Sequence, residues 1–315
     1  NPIANRIVSA ALLVGLLSAC AAQELRKGQD YFNEAASLEN QALFSSIEVD
    51  DPDAGPGDAI AALSKYRLAE ASLRRQLEED ADDLKADGLY GTTYVLLAMT
   101  QWRISDLEGN ALGHNEKPSA DLCAKGNLTA EERETCNEMV SSMQSSESKA
   151  QRRQALLATV NTINANKKNW TLGTRDRVLC HALYGFHDHD GGRMAAEYED
   201  AKRWFKSALN RFDEAVEKND VPLNHPVRVY ITMAKLRTLA SWLVASYSSG
   251  LTPEGDIKDV REINENAKAA VCSLQPFYKA ETELANKLKA RIESLLDAVG
   301  QSMPTNEDCR KLRAQ

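Results

Sequence analysis

The sequence predicts an all-α fold, an antiparallel array of about nine helices, and three observations carry that prediction. Ala, Leu, Glu, Lys and Gln, all strong helix formers, dominate long stretches. Apolar residues recur at three- and four-residue spacing, which gathers them on one face of a 3.6-residue helix. β-Branched runs alternating with period two are scarce, and aromatic residues make up only 6% of the chain. With 43% hydrophobic and 27% charged residues, 16 Gly and 9 Pro in 315 positions, the composition is that of an ordinary globular protein. A chain of this size buries roughly 70–75% of its unfolded surface, so disordered, collagen-like and multi-pass membrane readings are excluded. The 38 Lys and Arg against 46 Asp and Glu give a net charge of -8. No basic block is long enough to follow a phosphate backbone, which argues against a nucleic-acid partner.

The first element is a leader. Arg6 precedes the apolar run Ile7 to Leu17, which ends in small residues, the pattern of a secretory h-region. That run is shorter than the roughly 20 residues a membrane-spanning helix needs. It closes on Leu17-Ser18-Ala19-Cys20, and these four residues resemble the bacterial lipobox. The resemblance implies cleavage of residues 1–19, diacylation of the Cys20 sulfur and acylation of its new amino group, leaving 20–22 as a lipid-anchored N-terminus. Two or more acyl chains anchor stably where one is marginal. Ala21, in place of an Asp, resembles the enterobacterial sorting signal for an outer-membrane lipoprotein facing the periplasm. Cleavage removes Arg6, the only charge in 1–19, and shifts the net charge from -8 to -9.

Residues 23–315 are expected to form a single all-helical domain. Leu25, Phe32, Ala36 and Leu43 mark a first amphipathic helix over 23 to 47, broken by the Asp/Pro/Gly-rich 50–57. A second helix starts near Asp58, a natural N-cap, with Ala62, Tyr66, Ala69, Leu73 and Leu77 on one face. A third, 84–107, is apolar nearly all round between Leu89 and Trp102, as a helix enclosed on several sides must be. Gly109, Gly113, Pro118 and Gly126 place a long loop over 108–128. Thr129-Ala-Glu-Glu132 then forms a capping box. The helix it opens has a thin stripe, Cys136, Val140 and Met143, then a solvated stretch from Ser145 to Gln154, so it either protrudes or breaks there. A short apolar helix over 174–186 is expected to end in His187-Asp-His-Asp-Gly-Gly192, followed by a strongly periodic segment, 194–218. Asn224-His225-Pro226 opens a core helix closed by Gly250, with Tyr230, Met233, Leu236, Leu239, Leu243 and Tyr247 on its apolar side. The pattern resumes after Pro253, is cut by Pro276, and ends in a final helix stopped by Gly300.

Two fragments resemble the tetratricopeptide repeat. Tyr90-Gly91-x-x-Tyr94 matches its first helix, and Ala201-x3-Phe205-x2-Ala208 matches the small/large/small packing of its second. No 34-residue period joins them, so a degenerate tetratricopeptide-like solenoid and a generic bundle both fit.

Cysteine usage fits an oxidising compartment. With Cys20 assigned to lipid, Cys123 and Cys136 are placed to staple the 108–128 loop, and Cys272 and Cys309 to tie the C-terminal tail to a helix. Cys180, in the apolar run Val178 to Tyr184, reads as a buried small hydrophobe.

The best constellation for chemistry is His181 with His187-Asp188-His189-Asp190. His181, His187, His189 and Asp190 offer ligands suited to zinc or copper, although adjacent residues point apart and such runs ordinarily terminate helices. Ser146-Glu-Ser-Lys149 fits the Ser-x-x-Lys of penicillin-recognising enzymes, but their other elements are missing. No nucleophile elbow, zincin, dinucleotide-binding or Walker sequence occurs, and no cofactor is expected. Trp102, Trp204 and Tyr247 are the candidate partner-binding aromatics. These features point to a lipid-anchored periplasmic scaffold or adaptor, non-enzymatic, that binds a protein partner in an envelope complex of export, secretion or outer-membrane assembly. A transport-associated solute-binding subunit is the alternative, and a metal-binding protein or enzyme the third.

Overall fold

The computed structural model describes residues 23, 25–38, 57–110, 123, 129–144, 146–248, 257–279, 283–298 and 300–313. The leader, Cys20, the 50–56 break, Gly250 and all of the 111–128 loop except Cys123 lie outside them. Among the described residues all regular structure is helical: α1 (25–38), α2 (Gly57–Glu79), α3 (Ala81–Ala86), α4 (Tyr90–Asn110), α5 (Ala130–Gln144), α6 (Ser146–Asn166), α7 (Thr174–Met194), α8 (Tyr198–Glu217), α9 (Pro226–Ser248), α10 (Ile257–Ser273), α11 (Gln275–Tyr278), α12 (Glu283–Ala298) and α13 (Asn306–Arg313). A short 3-10 turn, Lys167–Asn169, follows α6. No described helix is long and apolar enough to cross a membrane. Packing groups the chain into two compact units, 1–173 and 174–315.

In the first unit α2 packs along α4 and α5, and α4 packs on α6. Ile60, Leu63 and Tyr66 of α2 meet Ile104 and Leu107 of α4 together with Cys123 and Cys136. α4 is buried around most of its circumference, as its continuous apolar sequence requires, and it even encloses an ion pair, Arg103 to Asp106 at 2.7 Å. The expected 84–107 helix is in fact two. Gly88 takes φ +71°, its N–H donates to Lys85 O (3.2 Å) and that of Leu89 donates to Leu84 O (2.8 Å). This left-handed C-cap ends α3, and only glycine adopts it without steric cost. In the solvated stretch after Met143, α5 runs to Gln144 and α6 from Ser146, and Ser145 between them lies outside the described residues. The Tyr90-Gly91-x-x-Tyr94 fragment receives the chain that follows α6. Trp170 stacks on Tyr94 at 5.5 Å, and a Cβ on Gly91 would lie 2.8 Å from the Trp170 ring. Burial, with Tyr90 as hydrogen-bond partner, pushes the Tyr94 hydroxyl up to about 12.

The second unit is built on α7 packed against α8, α8 against α9, and α9 against α10. Trp242, Phe205, Leu239, Ile263, Val271 and Ile292 are central in its core. The cap of α9 falls one residue later than expected: His225, with Pro226 behind it, accepts the Val227 N–H on Nδ1 at 3.2 Å. Gly300, at φ +66°, stops α12 with the same pair of bonds as Gly88, from Gly300 N to Asp297 O and from Gln301 N to Leu296 O. The C-terminal tail is itself a helix, α13, opened by a reciprocal cap. Thr305 N–H donates to Asp308 Oδ2 (2.9 Å) and Asp308 N–H donates to Thr305 Oγ1 (3.2 Å).

Both expected disulfides form, Cys123 to Cys136 and Cys272 to Cys309, with Cα separations of 5.6 and 5.2 Å. Closing loops of these lengths contributes about 3 and about 4 kcal/mol by the chain-entropy account. Cys180 is a buried thiol outside both bridges.

Candidate functional site

Helix α7 does not end at Phe186. It continues to Met194, and His187, Asp188, His189 and Asp190 are buried inside it, none more than 9% exposed. Two glycines make this possible. A Cβ on Gly185 would stand 2.7 Å from the Phe212 ring, and one on Gly192 would stand 2.5 Å from that of Phe205. Bare backbone at both positions lets the aromatic rings of α8 seat directly on α7, and this contact outweighs the low helix propensity of glycine. Local preference alone makes the His/Asp/Gly run a helix terminator, and the aromatic rings facing it from α8 override that preference.

Close approach excludes water, so each polar group of the run needs a protein partner. Ser207 donates to Asp188 Oδ2 at 2.6 Å, and His187 Nδ1 lies 3.3 Å from Asp188 Oδ1. His189 Nδ1 lies 2.9 Å from the Thr238 hydroxyl, whose own proton goes to Ala234 O. Arg193 stands 4.0 Å from Asp190. His181, outside this group, turns back to its own helix and to Asn219, with Nδ1 3.0 Å from Arg177 O and 3.2 Å from Asn219 Nδ2.

The four candidate metal ligands thus face different neighbours. His187 turns to Asp188 and the edge of Trp204, His189 to Thr238, Asp190 to Arg193 and His181 to Asn219. Among the described residues no group of three or more His, Cys, Asp or Glu converges as metal ligands would. Nor is the Ser207, Asp188, His187 chain a nucleophile system, because the carboxylate sits in the middle and the imidazole does not reach the hydroxyl it would have to deprotonate.

A second buried polar knot joins α8 to α10, and the sequence reading missed it. Asp259, 2% exposed, accepts from Lys202 at 2.5 Å and from Tyr198 at 2.8 Å, and Tyr198 in turn accepts from Trp242 Nε1. Burial opposes ionisation of Asp259, but the Lys202 and Tyr198 hydrogen bonds outweigh it and hold the carboxyl below its ordinary value. The signal was available in Tyr198-x3-Lys202-x3-Lys206, one face of α8, facing Asp259 and Glu262.

Of the candidate partner-binding aromatics, Trp102 is a core residue at 3% exposure, on the covered part of α4. Trp204 and Tyr247 are at the surface, 36% and 48% exposed. Tyr230, expected in the core, is also partly at the surface, with its ring 6.1 Å from Phe186. Val244, one turn from Tyr247 on α9, is 43% exposed. In comparisons with protein-family models, curated proteins and solved structures, nothing matches the chain.

Proposed function

We propose that this chain is a lipid-anchored helical adaptor of the bacterial envelope that binds a protein partner. In this reading residues 1–19 are the leader, Cys20 carries the lipid, and the anchored body faces the periplasm from the outer membrane. The observation that carries the binding role is the distribution of exposed apolar side chains. Among the described residues, Met194, Trp204, Leu223, Tyr230, Val244 and Tyr247 belong to the 174–315 unit, against Leu68 in the other. Aromatic residues standing out of an otherwise charged helical surface are the usual anchors of a protein interface. The buried His and Asp groups support a non-enzymatic role, since their hydrogen bonds are spent on holding α7 to α8 and α9. A tetratricopeptide-like body is part of the proposal, supported by the burial of Ala201, Phe205 and Ala208 along α8 in the small/large/small order of that repeat. Confinement by the lipid raises the effective concentration of the partner without any further contact.

Affinity purification from detergent-solubilised membranes tests the binding role, with the wild type compared with the surface variant Val244→Asp/Tyr247→Asp. A stoichiometric protein that the wild type retains and the variant loses at least roughly tenfold is the expected result, the loss of about 1.4 kcal/mol or more that an interface hot spot carries. Recovery of a small molecule without a protein, or equal recovery by the variant, contradicts the proposal.

A further inference from the structure

We propose that the outer face of α9 receives an amphipathic helix of another protein, with an acidic residue of that helix set against Arg237. The inference rests on the adaptor reading above and names the kind of segment that docks. α9 carries apolar residues on every side, and a helix of that composition is ordinarily enclosed by its neighbours. α4 has the same composition and is enclosed, since no large apolar side chain of its described residues is exposed. α9 packs on α7, α8, α10 and α12, yet Tyr230, Val244 and Tyr247 stand 36%, 43% and 48% exposed. One of its faces is left open among the described residues.

The spacing on that face points to a helix as its occupant. Tyr230, Met233, Arg237, Ala240, Val244 and Tyr247 follow alternating three- and four-residue steps, the a and d positions of a heptad pattern. A stripe of this average period, about 3.5 residues, stays in line with a second helix crossing at about 20°. Within it Met233 is buried, and Arg237 and Ala240 are half-buried. The inward side of α9 is already filled by Leu236, Leu239, Trp242 and Leu243, so the outer stripe is additional to what the core of this unit uses.

Charge selects which helix. α9 carries Arg228, Lys235 and Arg237 and no Asp or Glu over its 23 residues, in a chain of net charge -8. Arg228 donates to the Val221 and Pro222 carbonyls and Lys235 to Asp213, both off the stripe, whereas Arg237 lies on it, seven residues from Tyr230 and seven from Val244. A second copy laid along the stripe, parallel in register or antiparallel about its midpoint, sets Arg237 against its own image, and like charges oppose that pairing. A helix with Asp or Glu at the facing position gains a charge-assisted hydrogen bond there, while its apolar residues one heptad to either side cover Tyr230 and Val244.

Photocrosslinking of the full chain in the cells that express it tests the inference, with p-benzoylphenylalanine placed at Tyr230 or at Val244 and the joined peptides read by mass spectrometry. Both positions are expected to join one segment of one other protein, at residues about 14 apart to within a turn, with an Asp or Glu near the middle of the interval. In purification from solubilised membranes, Arg237→Glu is expected to lower recovery of that protein roughly tenfold or more and Arg237→Lys to preserve it, with the melting temperatures of both variants near that of the wild type. If Arg237→Glu does not fold, the cross-links decide alone, because they are made with Arg237 in place. Cross-links to a second copy, to another segment of this chain or to lipid, joined residues that do not lie on one helical segment, or no cross-link at all would overturn the inference. A protein that is retained through Val244 and Tyr247 but tolerates Arg237→Glu, or cross-links outside one helical segment, overturns it while leaving the adaptor reading intact. Retention of no protein contradicts both.

Discussion

Gly192 sits within the last turn of α7, where alanine would ordinarily gain up to about 1 kcal/mol of helix propensity. Here the added methyl would lie 2.5 Å from the Phe205 ring, which is fully buried and has no room to retreat. Overpacking of this kind costs about 1–3 kcal/mol, so the sign of the substitution reverses. Gly192→Ala is therefore expected to lower the denaturation midpoint, and Gly173→Ala, where nothing lies within 4 Å, to leave it nearly unchanged. A stabilised Gly192→Ala would mean that α7 and α8 do not touch as described. The same residues show why the His/Asp run was misread in the sequence. Glycine beside polar residues signals a helix end only when solvent faces it, and the two phenylalanines that replace solvent are one helix further along the chain. Cys180, by contrast, is legible because it lies in the mainly apolar run Val178 to Tyr184.

At the scale of elements, caps decide where the helices stop and start. Gly300 was read correctly as a terminator because the apolar stripe ends with it, whereas Gly88 was missed because apolar residues resume directly at Leu89. Helix α13 was missed because its eight residues are nearly all polar and carry no stripe of their own. Its signal is the cap, Thr305-x-x-Asp308, together with Cys309, which fastens it to α10. Thr305→Ala is expected to destabilise α13 by about 1 kcal/mol, read as faster amide exchange over 306–313. The Thr305 hydroxyl and amide hold the Asp308 carboxyl below its ordinary value. The folded-state value being the lower, this contribution is fully present above the ordinary carboxylate value and is lost as the pH falls from there through the lowered folded-state value. Exchange over 306–313 should rise with acidification in the wild type by a margin that Thr305→Ala lacks, once the intrinsic pH dependence of exchange is removed. Unchanged exchange in the variant would contradict the cap.

At the scale of the molecule, the all-α class and both disulfides were legible, the first from residue periodicity and the second from cysteines placed beside a predicted loop and tail. The division at 173/174 was not, because no composition shift or Gly/Pro-rich linker marks it. The candidate ligands failed to assemble for a related reason: a sequence places His181, His187 and His189 near one another, but a continuous helix fixes the direction of each, and the facing helices supply the partners. What remains central is the anchor, since the periplasmic setting and the confinement of the partner both follow from it. The intact mass of the protein extracted from membranes tests it most directly. The account predicts a chain beginning at Cys20, lacking residues 1–19 and heavier than its sequence by a diacylglyceryl group and an amide-linked acyl chain; a soluble chain with the leader uncut and Cys20 unmodified would contradict it.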